Sequence, residues 1–136
     1  MIDKKAYQKM DYALCLLSAH ADGKDSGCII NSFHQVTSSF PAKFTIAVNR
    51  ENVTAAAVEQ AGSFCVTLLA HDAPAALIND FGYRSGRVAD KFSPYEVRRD
   101  EVGNPYLTDS GGGLCLLQPP QSLEKINPVL KESPYI

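Results

Sequence analysis

The hydrophobic and polar positions change rhythm several times along the chain. The run "YALCLLSAH" is almost continuously apolar and ends in "ADGKDSG", whose Asp-Gly and Ser-Gly pairs are hairpin signals. "CIINSFHQVTSS" then reads as the partner strand. "KFTIAVN" alternates apolar and polar residues after Pro41, and "SFCVTLLA" repeats that character after Gly62, so both are predicted strands. Between them, "NVTAAAVEQAG" combines alanines, an N-cap in Asn52 or Thr54 and a stop at Gly62, which predicts a short helix. A second short helix is predicted through "APAALINDF". Short strands joined by turn signals, with small helical inserts, point to a mostly β fold, an antiparallel barrel or sandwich rather than a wound parallel sheet. After "GGGLCLL" the chain becomes "QPPQSLEKINPVLKESPYI", whose four prolines and weak periodicity suggest an extended arm or a loosely ordered end. The expected organisation is one domain over residues 1–117 and a proline-rich tail over 118–136.

Composition narrows the function classes. With 136 residues and 45% hydrophobic side chains, the chain is long enough for one domain with its own core. The 13 basic and 15 acidic residues leave a net charge of -2, so no basic footprint for DNA or RNA is present. No apolar run is long enough to span a bilayer and no signal peptide is evident, so a cytoplasmic location away from membranes is expected. Cys15, Cys28, Cys65 and Cys115 stand far apart with no CxxC pair, and buried reduced thiols are the expected state. His20, His34 and His71 are scattered without ligand spacing, and no metal site is expected.

The common dinucleotide, nucleotide, zinc-protease and hydrolase motifs are missing. Three stretches carry other chemistry. "FGYRSGRVADKF" gathers Arg84, Ser85, Gly86, Arg87 and Lys91, the donors and positive charge that a phosphate monoester requires in a tight loop. The same composition fits a solvated loop whose arginines pair with Asp80 and Asp90, and composition alone leaves both open. "NRENVT" places Asn49, Arg50 and Asn52 before a helix N-terminus, which suits either an anion or an ordinary capped helix. "NSFHQVTSSFP" interleaves polar residues with Phe33, Val36 and Phe40, the make-up of a wall for an aromatic ligand or of the outer face of a sheet. The glycine cluster at 110–113 has no following helix to give it a phosphate site.

Taken in order, "DGKDSGCIINSFHQVTSSFP", "FTIAVNRENVTAAAVEQAGSFCVTLLA", "FGYRSGRVADKF" and "GNPYL" resemble the flavin reductase-like, FMN-binding split-barrel family, which includes flavoredoxins and the flavin domain of high-molecular-weight rubredoxins. The likeness covers roughly residues 7–117. It implies an antiparallel Greek-key split β-barrel that pairs as a homodimer. By position it implies that Asn31, Ser32, Gln35, Val36 and Thr37 run along the isoalloxazine and ribityl chain of FMN. Backbone N–H groups around Val36 to Ser38 then meet the ring where negative charge collects on reduction. Asn49, Arg50 and Asn52, with Ser85, Gly86, Arg87 and Lys91, approach the phosphate. The activity implied is transfer of hydride or electrons between NAD(P)H, flavin and a redox-protein or small-molecule acceptor, with no catalytic side chain, because the flavin supplies the reactive atom. Members continue with further strands after the region of "GNPYL", where this chain has its proline-rich tail. The alternative expectation is therefore a non-catalytic, C-terminally truncated split-barrel protein that binds flavin weakly or not at all.

Overall fold

A computed structural model of the chain describes residues 4–7, 9, 11–40, 43–87, 90–108 and 115–118, the last four through their backbone pairing. The fold is mostly β with few helices: α1 (Lys4–Tyr7), β1 (Cys15–Ala21), β2 (Lys24–Ile30), β3 (Phe33–Thr37), β4 (Lys43–Ile46), α2 (Val53–Ala61), β5 (Phe64–Leu68), α3 (Ala75–Gly82), β6 (Val97–Arg99), β7 (Pro105–Leu107) and β8 (Cys115–Gln118). The main sheet has the order β2-β1-β5-β8, and two-stranded sheets pair β3 with β4 and β6 with β7. All five pairings are antiparallel.

The first hairpin turns more tightly than "ADGKDSG" suggests. Asp22 and Gly23, at φ 53 and 72, make the whole turn, and the strands pair from Ala21↔Lys24 onward. Two positive φ values match the right-handed twist of the flanking strands, which is why Asp-Gly suits this position. Ser26 and Gly27 therefore lie inside β2 and not in a turn. The expected single strand over 28–39 is divided between two sheets, with Asn31 and Ser32 at the corner. Ser32 makes the exit: its hydroxyl donates to the Ala47 carbonyl at 2.5 Å and accepts from the Ala47 N–H at 3.2 Å, replacing ladder bonds that the departing backbone gives up.

Every residue from Cys15 to Ala19 is buried, because β1 is covered on both faces. Cys15, Leu17 and Ala19 join Cys28, Ile30, Val48, Val66 and the α2 residues Ala55, Ala57 and Val58, whereas Leu16 joins Leu77, Phe81, Phe92 and Leu107. Burying each of the larger side chains contributes roughly 1.5–3 kcal/mol. The alanines of α2 let that helix lie close to the sheet. Its ends are those the sequence marks: Asn52 Oδ1 accepts from the Thr54 N–H at 2.9 Å, and Gly62, at φ 64, returns its N–H to Val58.

The hairpin of β6 and β7 has no counterpart among the sequence expectations, because strands of three residues carry too little periodicity. Its turn is organised by Asp100, whose Oδ1 accepts from the N–H groups of Val102 and Asn104 at 3.0 and 2.8 Å. Cys15 and Cys28 are free buried thiols, whereas Cys65, also expected to be reduced, is disulfide-bonded. Among the described residues no helix is long and apolar enough to cross a membrane. The glycine cluster at 110–113 and residues 119–136 of the tail lie outside the described residues.

Candidate ligand cavity

The corner at which β2 leaves the main sheet forms one wall of a cavity of about 380 Å³. Asn31 and Ser32 come from the corner, Ala47, Val48, Asn49 and Asn52 from the connection between β4 and α2, and Ile78, Gly82 and Tyr83 from α3 and its end. Leu14, Cys28, Ile29 and Ile30 complete the lining. The volume lies in the range of small-molecule sites, and the mixture of apolar walls with a few convergent polar groups is their usual composition.

Local hydrogen bonds set the polar part. Asn49 Oδ1 accepts from the Glu51 N–H at 3.0 Å and the Asn49 carbonyl accepts from the Asn52 N–H at 2.9 Å, so one tight turn delivers both asparagines and the start of α2 to the cavity. The first N–H groups of that helix carry partial positive charge. Cys28 stands beside them. Burial pushes its thiol above the ordinary value, against the opposing pull of Thr54, the Lys91 charge and Asn52.

The segment 81–92 is fastened at both ends. Phe81 and Phe92 meet in a T-shaped pair with ring centroids 4.9 Å apart, and both are buried. Between them Arg84 pairs with Asp80 at 3.2 Å, as the solvated-loop reading expects, and Tyr95 donates to the same carboxylate at 2.7 Å. These bonds hold Asp80 below the usual carboxylate value; burial, then Asp80 itself, push the Tyr95 phenol up to about 12. Among the described residues no arginine stands within ion-pair distance of Asp90, whose Oδ1 accepts from the Phe92 N–H at 3.0 Å. Arg87 is exposed, and among the described residues its guanidinium has no carboxylate within ion-pair distance.

Gly86 ties this loop to the helix N-terminus. A Cβ on Gly86 would lie 3.9 Å from Val53 Cβ and 3.8 Å from Lys91 Cε. Ser85 Oγ accepts from the Arg87 N–H at 3.2 Å, shaping the turn. Lys91 is only 7% exposed, and its ammonium donates to the carbonyls of Gly27 at 3.0 Å and Phe81 at 3.4 Å. Burial lowers its pKa. Its charge thus lies beneath the turn.

The expected site residues fall into three groups. Asn31, Ser32, Asn49 and Asn52 line the cavity. Ser85 and Arg87 flank Gly86 in a turn that meets the first residue of α2, with Lys91 below, while Arg50 is exposed in the turn leading to that helix. Gln35, Val36 and Thr37 lie further along β3, with Ser38 just past its end, and none of the four contributes to the lining. There the strand bulges at Val36, 57% exposed, between the pairs Gln35↔Phe44 and Thr37↔Lys43. Gln35 Nε2 donates to the Thr37 carbonyl at 2.9 Å, and Thr37 Oγ1 accepts from the Lys43 N–H at 3.2 Å.

Sequence reasoning missed Lys24, whose ammonium donates to the Gly86 carbonyl at 2.9 Å from the opposite hairpin. It also missed Cys28 and Tyr83 as lining residues. Only the register of the first hairpin and the packing of α3 bring them there, and no local pattern records either.

Comparison with known proteins agrees with this architecture. The family model described as "Flavin reductase like domain" matches residues 7–114. The chain is 32% identical over 108 residues to a high molecular weight rubredoxin of Moorella thermoacetica, covering 79% of this chain and 47% of that protein. It is 32% identical over 107 residues to a ferric-chelate reductase (NAD(P)H) of Archaeoglobus fulgidus, covering 79% of this chain and 63% of that one. It therefore spans between about half and two thirds of these relatives. Among solved structures, an FMN-binding protein from Thermus thermophilus superposes with a TM-score of 0.72 over 86% of this chain and 64% of that one, at 15% identity. With four-fifths of its length matched by one family model and two relatives each 32% identical to it over the aligned 107 or 108 residues, the chain belongs to the flavin reductase-like family.

Proposed function

We propose that the chain binds FMN in this cavity and acts as a flavin reductase-like oxidoreductase, passing hydride or electrons between NAD(P)H, flavin and an acceptor. The observation that carries the reading is the meeting of two expected anion-binding elements, the α2 N-terminus and the Ser85-Gly86-Arg87 turn, close to the cavity that Asn52 lines. The residues fit the group. A phosphate needs N–H donors and cations in a tight turn, and Arg87, Lys24 and the helix start supply them. Asn31, Ser32 and Asn49 supply polar groups for a ribityl chain or ring edge, while Leu14, Ile29, Ile30 and Ile78 supply apolar surface. Gln35, Val36, Thr37 and Ser38 lie outside the lining and are assigned to the ring only by the family resemblance. Bound flavin would supply the redox chemistry that the side chains lack.

Relatives named as a ferric-chelate reductase (NAD(P)H) and a rubredoxin support a nicotinamide donor and a redox-protein or small-molecule acceptor. Closure of the strands into a Greek-key barrel, a domain over 1–117 followed by a separate tail, pairing as a homodimer and a cytoplasmic location complete the proposal. The exposed side chains of Val36 in β3 and Phe40 in the connection to β4 support the dimer.

The test is an absorbance spectrum after incubation with FMN and gel filtration, repeated with riboflavin and with Arg87→Ala. Retained flavin bands that bleach with NADH or NADPH, and weaker retention of FMN but not of riboflavin in the variant, are expected. A protein that stays colourless at every FMN concentration overturns the reading in favour of the non-catalytic alternative.

A further inference from the structure

Tyr83 lines the cavity and yet is 83% exposed. Its backbone is fixed, because as the C-cap of α3 it holds φ -117 and ψ -17 and donates its N–H to the Asn79 carbonyl at 3.0 Å. The preceding residue sits against β2: a Cβ on Gly82 would stand 3.6 Å from Ile29 Cγ1. The tyrosine is therefore carried on a rigid helix end at the cavity wall. Among the described residues the ring pairs are Phe33 with Phe44, and Phe81 with Phe92 and Tyr95, so the Tyr83 ring has no aromatic neighbour. Nor does its hydroxyl form a hydrogen bond there. Tyr95 shows the contrast within the same region, with its ring packed on Phe81 and its hydroxyl on Asp80.

A phenol with no hydrogen bond or ring pair among the described residues, and 83% exposed, is spared from the core. Its flat apolar face is open to whatever occupies the cavity, which Leu14 and Ile78 also line. A planar fused ring is the ligand class that gains most from such a face, since losing one aromatic stacking partner costs roughly 5- to 100-fold in affinity.

We propose that Tyr83 is the stacking residue of the cavity, laying its phenol on the planar ring of the bound ligand and selecting for fused aromatic rings. The proposal rests on the flavin reading above and adds a specificity-determining residue to it.

The experiment titrates the full chain and its Tyr83→Phe, Tyr83→Leu and Tyr83→Ala variants with FMN and with lumiflavin, the ring without ribityl chain or phosphate. Affinity and the emission of the bound flavin are both read. Because Tyr83 is 83% exposed, all three variants should melt at the native temperature, which a thermal scan verifies. Tyr83→Leu and Tyr83→Ala are expected to bind both ligands roughly 5- to 100-fold more weakly. Tyr83→Phe should stay within about threefold of the native affinity, yet its bound flavin should be brighter, because a phenol quenches a stacked excited flavin by electron donation far better than a phenyl ring. Native affinity in Tyr83→Leu and Tyr83→Ala, or unchanged emission in Tyr83→Phe, overturns the proposal. If the native chain binds lumiflavin but not FMN, the FMN assignment fails, while a loss of lumiflavin affinity in Tyr83→Ala still upholds stacking. Binding of neither ligand overturns both.

Discussion

Lys91 donates its ammonium to the carbonyl of Gly27 at 3.0 Å, joining the end of the 81–92 segment to the middle of β2. The contact explains why that segment is bounded by phenylalanines. Phe81 and Phe92 close over Gly27, Lys91 crosses beneath, and the polar residues between are left as a turn near the cavity. The same lysine donates to the Phe81 carbonyl and lies 5.9 Å from the centroid of its ring, so an almost fully buried cation is satisfied by two carbonyls and an aromatic face.

Gly27 is required by this packing. A Cβ there would stand 2.8 Å from Phe92 Cζ and 3.2 Å from Phe81 Cδ1, both ring atoms of buried side chains with little room to retreat. Gly27→Ala should therefore destabilise the fold by about 1–3 kcal/mol, the usual cost of overpacking a core. Urea unfolding measures it, and a variant as stable as the native chain would mean that the phenylalanine pair can shift.

Asn52 holds two roles that one substitution separates. Its side chain caps α2 and also lines the cavity. Asn52→Ala should cost about 1 kcal/mol of stability through the lost cap, whereas Asn52→Asp should retain the cap, since both residues are good N-caps. The aspartate nevertheless brings a negative charge to the expected phosphate end, so FMN affinity should fall in the variant that keeps its stability. Denaturation paired with an FMN titration reads both effects. Equal FMN affinity in the native chain and Asn52→Asp would move the phosphate away from this helix.

How far the sequence discloses this arrangement depends on the range of each interaction. The α2 caps, Asn52 and Gly62, act within four residues and are legible as letters, as is the Asp22-Gly23 turn. The Ser26-Gly27 pair misleads because a glycine inside a strand looks like a turn signal. Here it answers a close approach by Phe81 and Phe92, more than fifty residues away. Likewise "CIINSFHQVTSS" has one continuous apolar character but bends at Asn31-Ser32, because Ser32 captures Ala47. For the site, the letters expected to meet an anion can be picked out of the sequence, whereas their meeting at Gly86 cannot. Lys24 and Tyr83 reach the region only through tertiary packing.

Acid should weaken the clamp between the first hairpin and β6. Arg99 grips the Asp25 carboxylate through two bonds of 2.9 and 2.8 Å, and His20 Nδ1 lies 2.6 Å from the same group. Burial pushes the Asp25 carboxyl up, but the bonds and charges of Arg99 and His20 outweigh it and hold the value below the ordinary one. A carboxyl with a depressed folded pKa stabilises above its unfolded value, roughly 3.9, and loses that contribution as pH falls through the folded value. Because Arg99 is half-exposed, solvent screens the pair, and Asp25→Asn should cost about 1 kcal/mol at pH 7. The difference between variant and native should shrink as the pH drops from the unfolded value, roughly 3.9, through the lower folded one. A gap independent of pH would show that the carboxylate charge is not what stabilises this contact.

Two free thiols among the described residues give an internal control for occupancy of the cavity. Cys15 and Cys28 are both buried, and burial raises both pKa values, so both should react slowly with iodoacetamide at pH 7 and faster as pH rises beyond the ordinary cysteine range near 8.5. Only Cys28 lines the cavity; Cys15 packs within the core cluster under α2. FMN bound in the cavity should therefore slow alkylation of Cys28 more than that of Cys15. A ligand that merely stabilised the whole fold would slow the two together, since both would then react through global opening. Peptide mapping of the alkylated chain, with and without saturating FMN, separates these outcomes. Selective protection of Cys28 places the flavin against the start of α2, and equal protection of both thiols places it elsewhere on the molecule.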